Sequence, residues 1–509
     1  MIIFSNKKNI ESVIIFIAFA ILYLIVNYIW WKINTPIIPQ NISATHFIDV
    51  FKNQLLYYNA PLITWIMKIM FFVFGKEYFD LQIMFVNYVF FLIALCFVYK
   101  IGVELKDKET GNIAMILFAL TPAVYGMSRQ YGHQDWHVMV AITVNIYCLI
   151  KLNYFEDRKW SILYGITVGL GLLIKDEFLS YFFTPWLYVV IRCLIEKARK
   201  DKIINIFITI IVGSFIAGWH YFRIEIINKI LCEPNKEIVQ SFILDGINKM
   251  TLGLTQELFS LLFAIVFIFG LLYSVFIYRN KNKWIIFLWF LVPWLIIIFM
   301  QHHKESEYAI GVIPALVIFS SICISNIKYK YLKIITVIII GIIGLNQCFS
   351  FSYGKKIKYS YFNDRLISYN KKDVEPLIRM TNICKNYSDK VFFIWDGFLK
   401  YCSEIKLLFD FNDIKNIYNC DFCNSIKADI IVDVDFDNFS TERILNMYLR
   451  DVEYNYSEEV FGDLLQQNVY KEEEKKLEKI LDIISNDYYV QKIMNEPIII
   501  LYIKNEKNN

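Results

Sequence analysis

Residues 81–108 read LQIMFVNYVFFLIALCFVYKIGVELKDK. No charged residue lies between Leu81 and Tyr99, and Lys100, Lys106 and Lys108 then follow. A helix needs about 20 mostly apolar residues to cross the hydrocarbon core. Lysines at the end of such a run mark its cytoplasmic side. The segment therefore reads as a membrane span ending in an inner loop. Ten further segments of this kind fall at about 11–31, 111–130, 137–153, 160–175, 180–196, 203–222, 257–277, 284–301, 307–326 and 332–350. The apolar stretch Leu62–Phe74 is short and interrupted by Lys68, and it reads as an interfacial helix.

Composition agrees. The 509 residues are 57% hydrophobic and 20% charged, against about 45–50% and about 25% for a soluble chain. Mean hydropathy is +0.42. These values exclude a soluble enzyme, a disordered chain and a coiled coil. A net charge of +4, with no basic patch interleaved with stacking platforms, excludes nucleic acid as a partner. Charge divides the chain in two. Residues 1–350 hold 30 basic and 21 acidic residues, whereas 351–509 hold 22 and 27. The expectation is a transmembrane domain over 1–350 followed by a soluble domain over 351–509, which is long enough for its own core.

The positive-inside rule orients the spans. With the N-terminus in the cytoplasm, 19 of the 30 basic residues fall in six short inner segments, from Lys7 and Lys8 to Lys328, Lys330 and Lys333. A spanning Leu62–Phe74 would turn the five later basic loops outward. Eleven spans put the C-terminal domain outside the cytoplasm. Lys7 and Lys8 before the first apolar run resemble a signal peptide, but no small-residue cleavage site follows Tyr28–Trp31, so the run reads as an uncleaved anchor. No internal repeat or low-complexity linker is present, and the charged run 471–476 reads as a solvated helix face.

Polar residues collect at the outer ends. The first outer loop, within 32–79, contains Thr45-His46-Phe47-Ile48-Asp49. If Thr45 caps a helix, His46, Asp49 and Asn53 share one stripe. The second outer turn reads Arg129-Gln-Tyr-Gly-His133-Gln-Asp135-Trp-His137. Polar clusters are expensive near a membrane, which points to function. His133, Asp135 and His137 could ligate a divalent metal, imidazole and carboxylate suiting zinc or manganese, although their spacing is not a defined metal signature. The plainer reading is a wet turn at the membrane surface. The fifth span ends Lys175-Asp176-Glu177. Lys175 could meet an anionic phosphate, or pair with Asp176 or Glu177. Another outer turn reads His302-His303-Lys304-Glu305-Ser-Glu307-Tyr308. All six histidines (46, 133, 137, 220, 302 and 303) fall on the expected outer side. Few acidic residues lie at mid-depth, which suits a surface active site better than a transport path.

Together these elements resemble the GT-C superfamily of polyprenyl-phosphate-sugar-dependent glycosyltransferases, in its bacterial mannosyltransferase-like and aminoarabinose-transferase-like branch. The resemblance runs over about residues 10–330. It is carried by Asp49, Asn59-Ala60-Pro61-Leu62, Phe74-Gly75, Thr121-Pro122 and Asp135. Gly169-Leu-Gly-Leu-Leu-Ile-Lys175 follows, then Lys304, Glu307-Tyr308 and Ile313-Pro314-Ala315. Two departures stand out: Asp49 is followed by Val50 rather than an acid, and Ala60 replaces a common proline.

The resemblance implies inverting sugar transfer from a lipid-linked donor to a glycan, lipid or protein outside the cytoplasm; the Ile/Lys/Asn-rich usage points to a bacterial chain with an envelope role. The resemblance implies a carboxylate base, first Asp49 and second Asp135. It implies Lys175, Lys304 and Arg129 against the lipid phosphate, with membrane lipids as surroundings. His46, His133, His137, Asp176, Glu177, His303, Glu307 and Tyr308 complete the candidate set. The loop 223–256, with four acids, could be a lid. Two alternatives stay open. One is a lipid-linked-glycan polymerase, ligase or oligosaccharyltransferase; the other is a transporter or flippase.

In the tail, Lys390–Trp395, Ala428–Asp433 and Pro497–Ile503 read as buried strands. Val374–Asn386 and Glu472–Ser485 read as helices, giving a small α/β domain. Trp395-Asp396-Gly397 reads as a turn. Cys384, Cys402, Cys420 and Cys423 could form disulfides in an oxidising compartment. Cys96, Cys148, Cys193, Cys323 and Cys348 read as inert apolar residues.

Overall fold

A computed structural model describes residues 10–34, 61–75, 79–128, 134–196, 200–222, 258, 261–299 and 306–348, a few residues at 380–384, and the strands of the tail. The chain divides into two compact units, Met1–Ile33 with Gln54–Ile367, and Asn34–Asn53 with Ser368–Asn509.

The first unit is helical. Its helices are α1 (Ile10–Asn34), α2 (Leu62–Phe74), α3 (Phe79–Leu105), α4 (Lys108–Ala119), α5 (Pro122–Ser128), α6 (Gln134–Lys151) and α7 (Arg158–Leu172). They continue with α8 (Phe178–Ile195), α9 (Lys200–Tyr221), α10 (Leu261–Phe276) and α11 (Lys283–Phe299). A 3-10 turn, Ser306–Val312, leads into α12 (Ile313–Ser325), and α13 is Lys330–Cys348. Helix occupies every segment expected to span. Among the described residues five helices are long and apolar enough to cross a membrane, or six if α4 and α5 form one broken span. The chain is a polytopic helical membrane protein.

The run 111–130, read as one span, is bent by 56° between α4 and α5. Pro122 lacks the N–H that would continue the helix. Thr121 folds its hydroxyl back onto the Leu117 carbonyl, 2.8 Å away. Asp107 starts α4 by accepting the Thr110 N–H at 2.8 Å, and Asp157 starts α7 by accepting that of Trp160 at 3.1 Å.

The centre of the unit is α12. The window Tyr308–Ser325 is 89% buried, against 28% for α1, so α12 is walled by protein and α1 faces outward. Close approach to α12 comes from glycine: a Cβ on Gly270 of α10 would sit 2.5 Å from Ser320. The same device joins α7 to α9, where a Cβ on Gly169 would sit 2.6 Å from Ile216 and one on Gly165 2.9 Å from the Thr209 carbonyl. Gly169→Val forces this pair apart. It is expected to cost about 1–3 kcal/mol, read as an earlier unfolding midpoint of the detergent-solubilised protein.

The expected inner-loop lysines gather at one end of the bundle. Lys151 pairs with Glu104 at 2.9 Å, Lys202 with Glu156 at 3.0 Å and Lys333 with Glu109 at 2.8 Å. Lys106 reaches Ser325 at 2.7 Å. The loop Asn153–Phe155 at this end holds three successive residues at φ of 46–63°. Left-handed backbone costs such residues about 1–2 kcal/mol each. Asn205 offsets part of this by donating to the Phe155 carbonyl at 2.8 Å.

In the second unit, β1 (Val391–Ile394), β2 (Asn416–Ile417), β3 (Ile430–Val434), β4 (Tyr488–Asn495) and β5 (Ile498–Lys504) form one mixed sheet. Its order is β2-β1-β3-β5-β4. β1 is parallel to β2 and β3, while β5 is antiparallel to β3 and β4. Three strands coincide with the expected apolar runs; β2 and β4 were not read from sequence. Cys384 is buried and forms no disulfide among the described residues. Most of the expected helix Val374–Asn386, all of Glu472–Ser485, Trp395-Asp396-Gly397, the run 471–476, and Cys402, Cys420 and Cys423 lie outside the described residues.

Candidate active site

The opposite end of the bundle carries the candidate site. Asp135 stands in the first turn of α6, where the helix dipole favours an anion, and is 4% exposed. Lys175 stands in the tight turn between α7 and α8. That turn depends on Gly171, whose Cβ would lie 2.3 Å from the Phe178 ring, so α8 folds directly back over the end of α7. The result aims Lys175 at α6. Its Nζ lies 2.9 Å from Asp135 Oδ1 and 3.2 Å from Glu177 Oε1. The Tyr308 ring covers it, with Nζ 4.8 Å from the ring centroid.

Three distant stretches thus meet at one ammonium group. The 3-10 turn that brings Tyr308 is held from two sides. Tyr181 of α8 donates its hydroxyl to the Tyr308 carbonyl, and Trp289 of α11 donates to the Gly311 carbonyl at 3.0 Å. A fourth stretch joins through its backbone. Leu62 N–H, at the head of α2, donates to the Leu173 carbonyl at 2.8 Å. The Pro61-Leu62 element and the Gly-Leu-Gly-Leu-Leu-Ile-Lys element are therefore neighbours.

The electrostatics follow from one cation shared by two carboxylates. Burial alone would lower the Lys175 pKa, but Asp135 and Glu177 overcome it and hold the amine above its ordinary value. Glu177 is pushed above the usual carboxylate range by burial, against the pull of Lys175. The cluster holds a fixed ammonium with one more carboxylate than it neutralises.

The candidates divide as follows. Asp135, Lys175, Glu177 and Tyr308 come together. Asp176 turns away and accepts from the Tyr221 hydroxyl at 2.7 Å. His137, the fourth residue of α6, is buried edge-on to Phe90 with ring centroids 4.6 Å apart. His46, Asp49, Arg129, His133, His303, Lys304, the Glu307 side chain and the loop 223–256 lie outside the described residues. Among the described residues no three histidine, cysteine or acidic side chains converge to hold a metal. Sequence reading missed Tyr181 and Tyr221, because tyrosines at span ends are ordinary interfacial residues.

Residues 58–220 match the sequence model of the dolichyl-phosphate-mannose-protein mannosyltransferase family. No curated protein sequence matches the chain. Among solved structures, ArnT from Cupriavidus metallidurans in the apo state is similar with a TM-score of 0.60 at 10% identity, over 97% of this chain and 98% of that one. The oligosaccharyltransferase AglB from Archaeoglobus fulgidus, in complex with an inhibitory peptide and a dolichol-phosphate, is similar with a TM-score of 0.54 at 10% identity, over 99% and 75%. The apo oligosaccharyltransferase of that organism gives 0.53 at 11%, over 87% and 71%. Sequence pattern and fold agree with the motif resemblance: residues 58–220 carry the pattern of the mannosyltransferase family model, and the fold is similar to those of ArnT and the archaeal oligosaccharyltransferase.

Proposed function

We propose that the protein is an integral-membrane, inverting glycosyltransferase that moves a sugar from a polyprenyl-phosphate donor to an acceptor hydroxyl at the extracytoplasmic face. The acceptor oxygen attacks the anomeric carbon as the bond to the lipid phosphate breaks. A carboxylate takes the acceptor's proton, and cations receive the charge left on the phosphate. Asp49 is the first candidate for the base and Asp135 the second. Lys175, Lys304 and Arg129 are the candidates for the phosphate. The orientation follows the positive-inside reading, with the N-terminus cytoplasmic, eleven spans, and the domain of residues 351–509 outside.

One observation carries the reading: the ion pair of buried Asp135 with half-buried Lys175, 2.9 Å apart, at the bundle end opposite the paired inner-loop lysines. Buried ionisable groups at a membrane protein's rim are costly and mark function. The similar structures add support, since AglB was solved with a dolichol-phosphate and ArnT also bound to undecaprenyl phosphate. Both ligands are polyprenyl phosphates. Few mid-depth acids and a rim-placed ion cluster favour the enzyme over a transporter.

The test is transfer of radiolabel from a polyprenyl-phosphate hexose to an envelope extract by membranes containing the protein. Asp49→Asn is expected to abolish transfer at unchanged protein level, and the product is expected to have inverted anomeric configuration. Full transfer by Asp49→Asn would remove Asp49 as base. A retained configuration would overturn the single-displacement mechanism.

A further inference from the structure

The 3-10 turn Ser306–Val312 presses its backbone into the core, with Ala309, Ile310 and Val312 at most 1% exposed. A 3-10 turn has poor hydrogen-bond geometry of its own, and buried backbone groups need partners. Two side chains supply them. Trp289 donates to the Gly311 carbonyl at 3.0 Å, and the Tyr181 hydroxyl donates to the Tyr308 carbonyl. The same hydroxyl accepts from the Gly311 backbone N–H. One oxygen of α8 thus joins both ends of the Tyr308–Gly311 step. The seat is cut for this ring: a Cβ on Gly311 would lie 2.5 Å from the Tyr181 ring, so only glycine admits it.

The seat matters because of what the turn carries. Tyr308 lies three residues before Gly311, and its ring covers the Lys175 ammonium at 4.8 Å. The Lys175 side chain is 22% exposed, so a ring over the ammonium governs how much water reaches it. A cation that receives the charge of a departing phosphate acts more strongly where water is excluded. We infer that Tyr181 is a positioning residue for the Lys175 centre: its hydroxyl, with its ring keyed into the Gly311 notch, fixes Tyr308 as the cap on the ammonium. This rests on the glycosyltransferase reading and adds to it a residue that acts through Tyr308 alone.

The test uses the full-length protein in phosphatidylcholine nanodiscs and two readouts. One is acetylation of Lys175 by limiting acetic anhydride, mapped by mass spectrometry. The other is sugar transfer from a polyprenyl-phosphate hexose. Tyr181→Phe keeps the ring and removes only the hydroxyl. It is expected to speed Lys175 acetylation about fivefold and to lower kcat by a similar factor, the worth of one hydrogen bond, with KM for the donor unchanged. Tyr278→Phe loses the same kind of bond, to the Leu105 carbonyl at the other end of the bundle, and should change neither readout. Gly311→Ala presses on the Tyr181 ring from the opposite side. It should repeat the Tyr181→Phe result, and it stands in if that variant fails to fold. The decisive comparison is Tyr308→Ala alone and combined with Tyr181→Phe. If Tyr181 acts through Tyr308, the double variant is no worse than Tyr308→Ala. Losses that multiply, or unchanged Lys175 acetylation in Tyr181→Phe, would overturn the inference. If no form of the protein transfers sugar, the acetylation series still decides the role of Tyr181, and the failure belongs to the glycosyltransferase reading.

Discussion

Asp135→Asn is expected to lower sugar transfer by about 10²–10⁴-fold, the range spanned by a lost proton-transfer or charge-positioning group. The carboxylate is buried at the head of α6 and accepts from Lys175 at 2.9 Å. Asparagine keeps the shape and one acceptor oxygen but removes the charge. Lys175 then has Glu177, at 3.2 Å, as its remaining carboxylate partner. Breaking a fully buried pair costs about 3–5 kcal/mol; here the partial exposure of Lys175 and the retained Glu177 hold the loss below that range. Activity must therefore be expressed per folded protein, with a thermal melt alongside. A double change, Asp135→Asn with Lys175→Met, separates the two effects. It removes both charges and is expected to recover part of the melting temperature but none of the transfer. Transfer recovered with stability would show that the pair merely holds the fold.

The helices of the first unit were legible because a bilayer imposes a length on apolar runs and lysine concentrates in the loops expected to lie inside. Both are one-dimensional signals, and helix occupies each expected segment. The bend at Thr121-Pro122 was not read, although proline was visible, because an apolar run of 20 residues hides a break in its middle. At the site, sequence offered Lys175 a partner in Asp176 or Glu177. Glu177 is one, but Asp176 faces Tyr221, and the closest carboxylate is Asp135, 40 residues away. Such a pairing depends on how α7 turns into α8 over Gly171, which no local pattern encodes. In the tail, β1, β3 and β5 are continuous apolar runs and could be read. β4, Tyr488–Asn495, mixes Gln491 and Lys492 into a strand, and only its pairing with β5 makes it one.

Lys175→Met should shift the pH dependence of transfer upward as well as reduce its rate. The sign follows from the cluster. Lys175 is held above its ordinary pKa chiefly by Asp135 and Glu177, so the same interactions favour the ionised carboxylates. Glu177 is already pushed above the usual range by partial desolvation, with Lys175 opposing that rise. Without the cation, burial acts unopposed and the two carboxylates, close enough to share one ammonium, repel each other. Both carboxyl groups then hold their protons to higher pH. A step that needs an ionised carboxylate here is lost at neutral pH and partly restored as pH rises. If Lys175 also receives the departing phosphate, the plateau at high pH stays about 10²–10³-fold below that of the unmodified protein. A shifted profile with a full plateau would confine Lys175 to holding Asp135 and Glu177 ionised. An unshifted profile with a lowered plateau would assign it to the phosphate alone. Lys175→Arg keeps the charge in a broader head, so it is expected to leave the profile unshifted. The pH profile therefore distinguishes a lost charge from a lost shape, which a single rate at neutral pH does not.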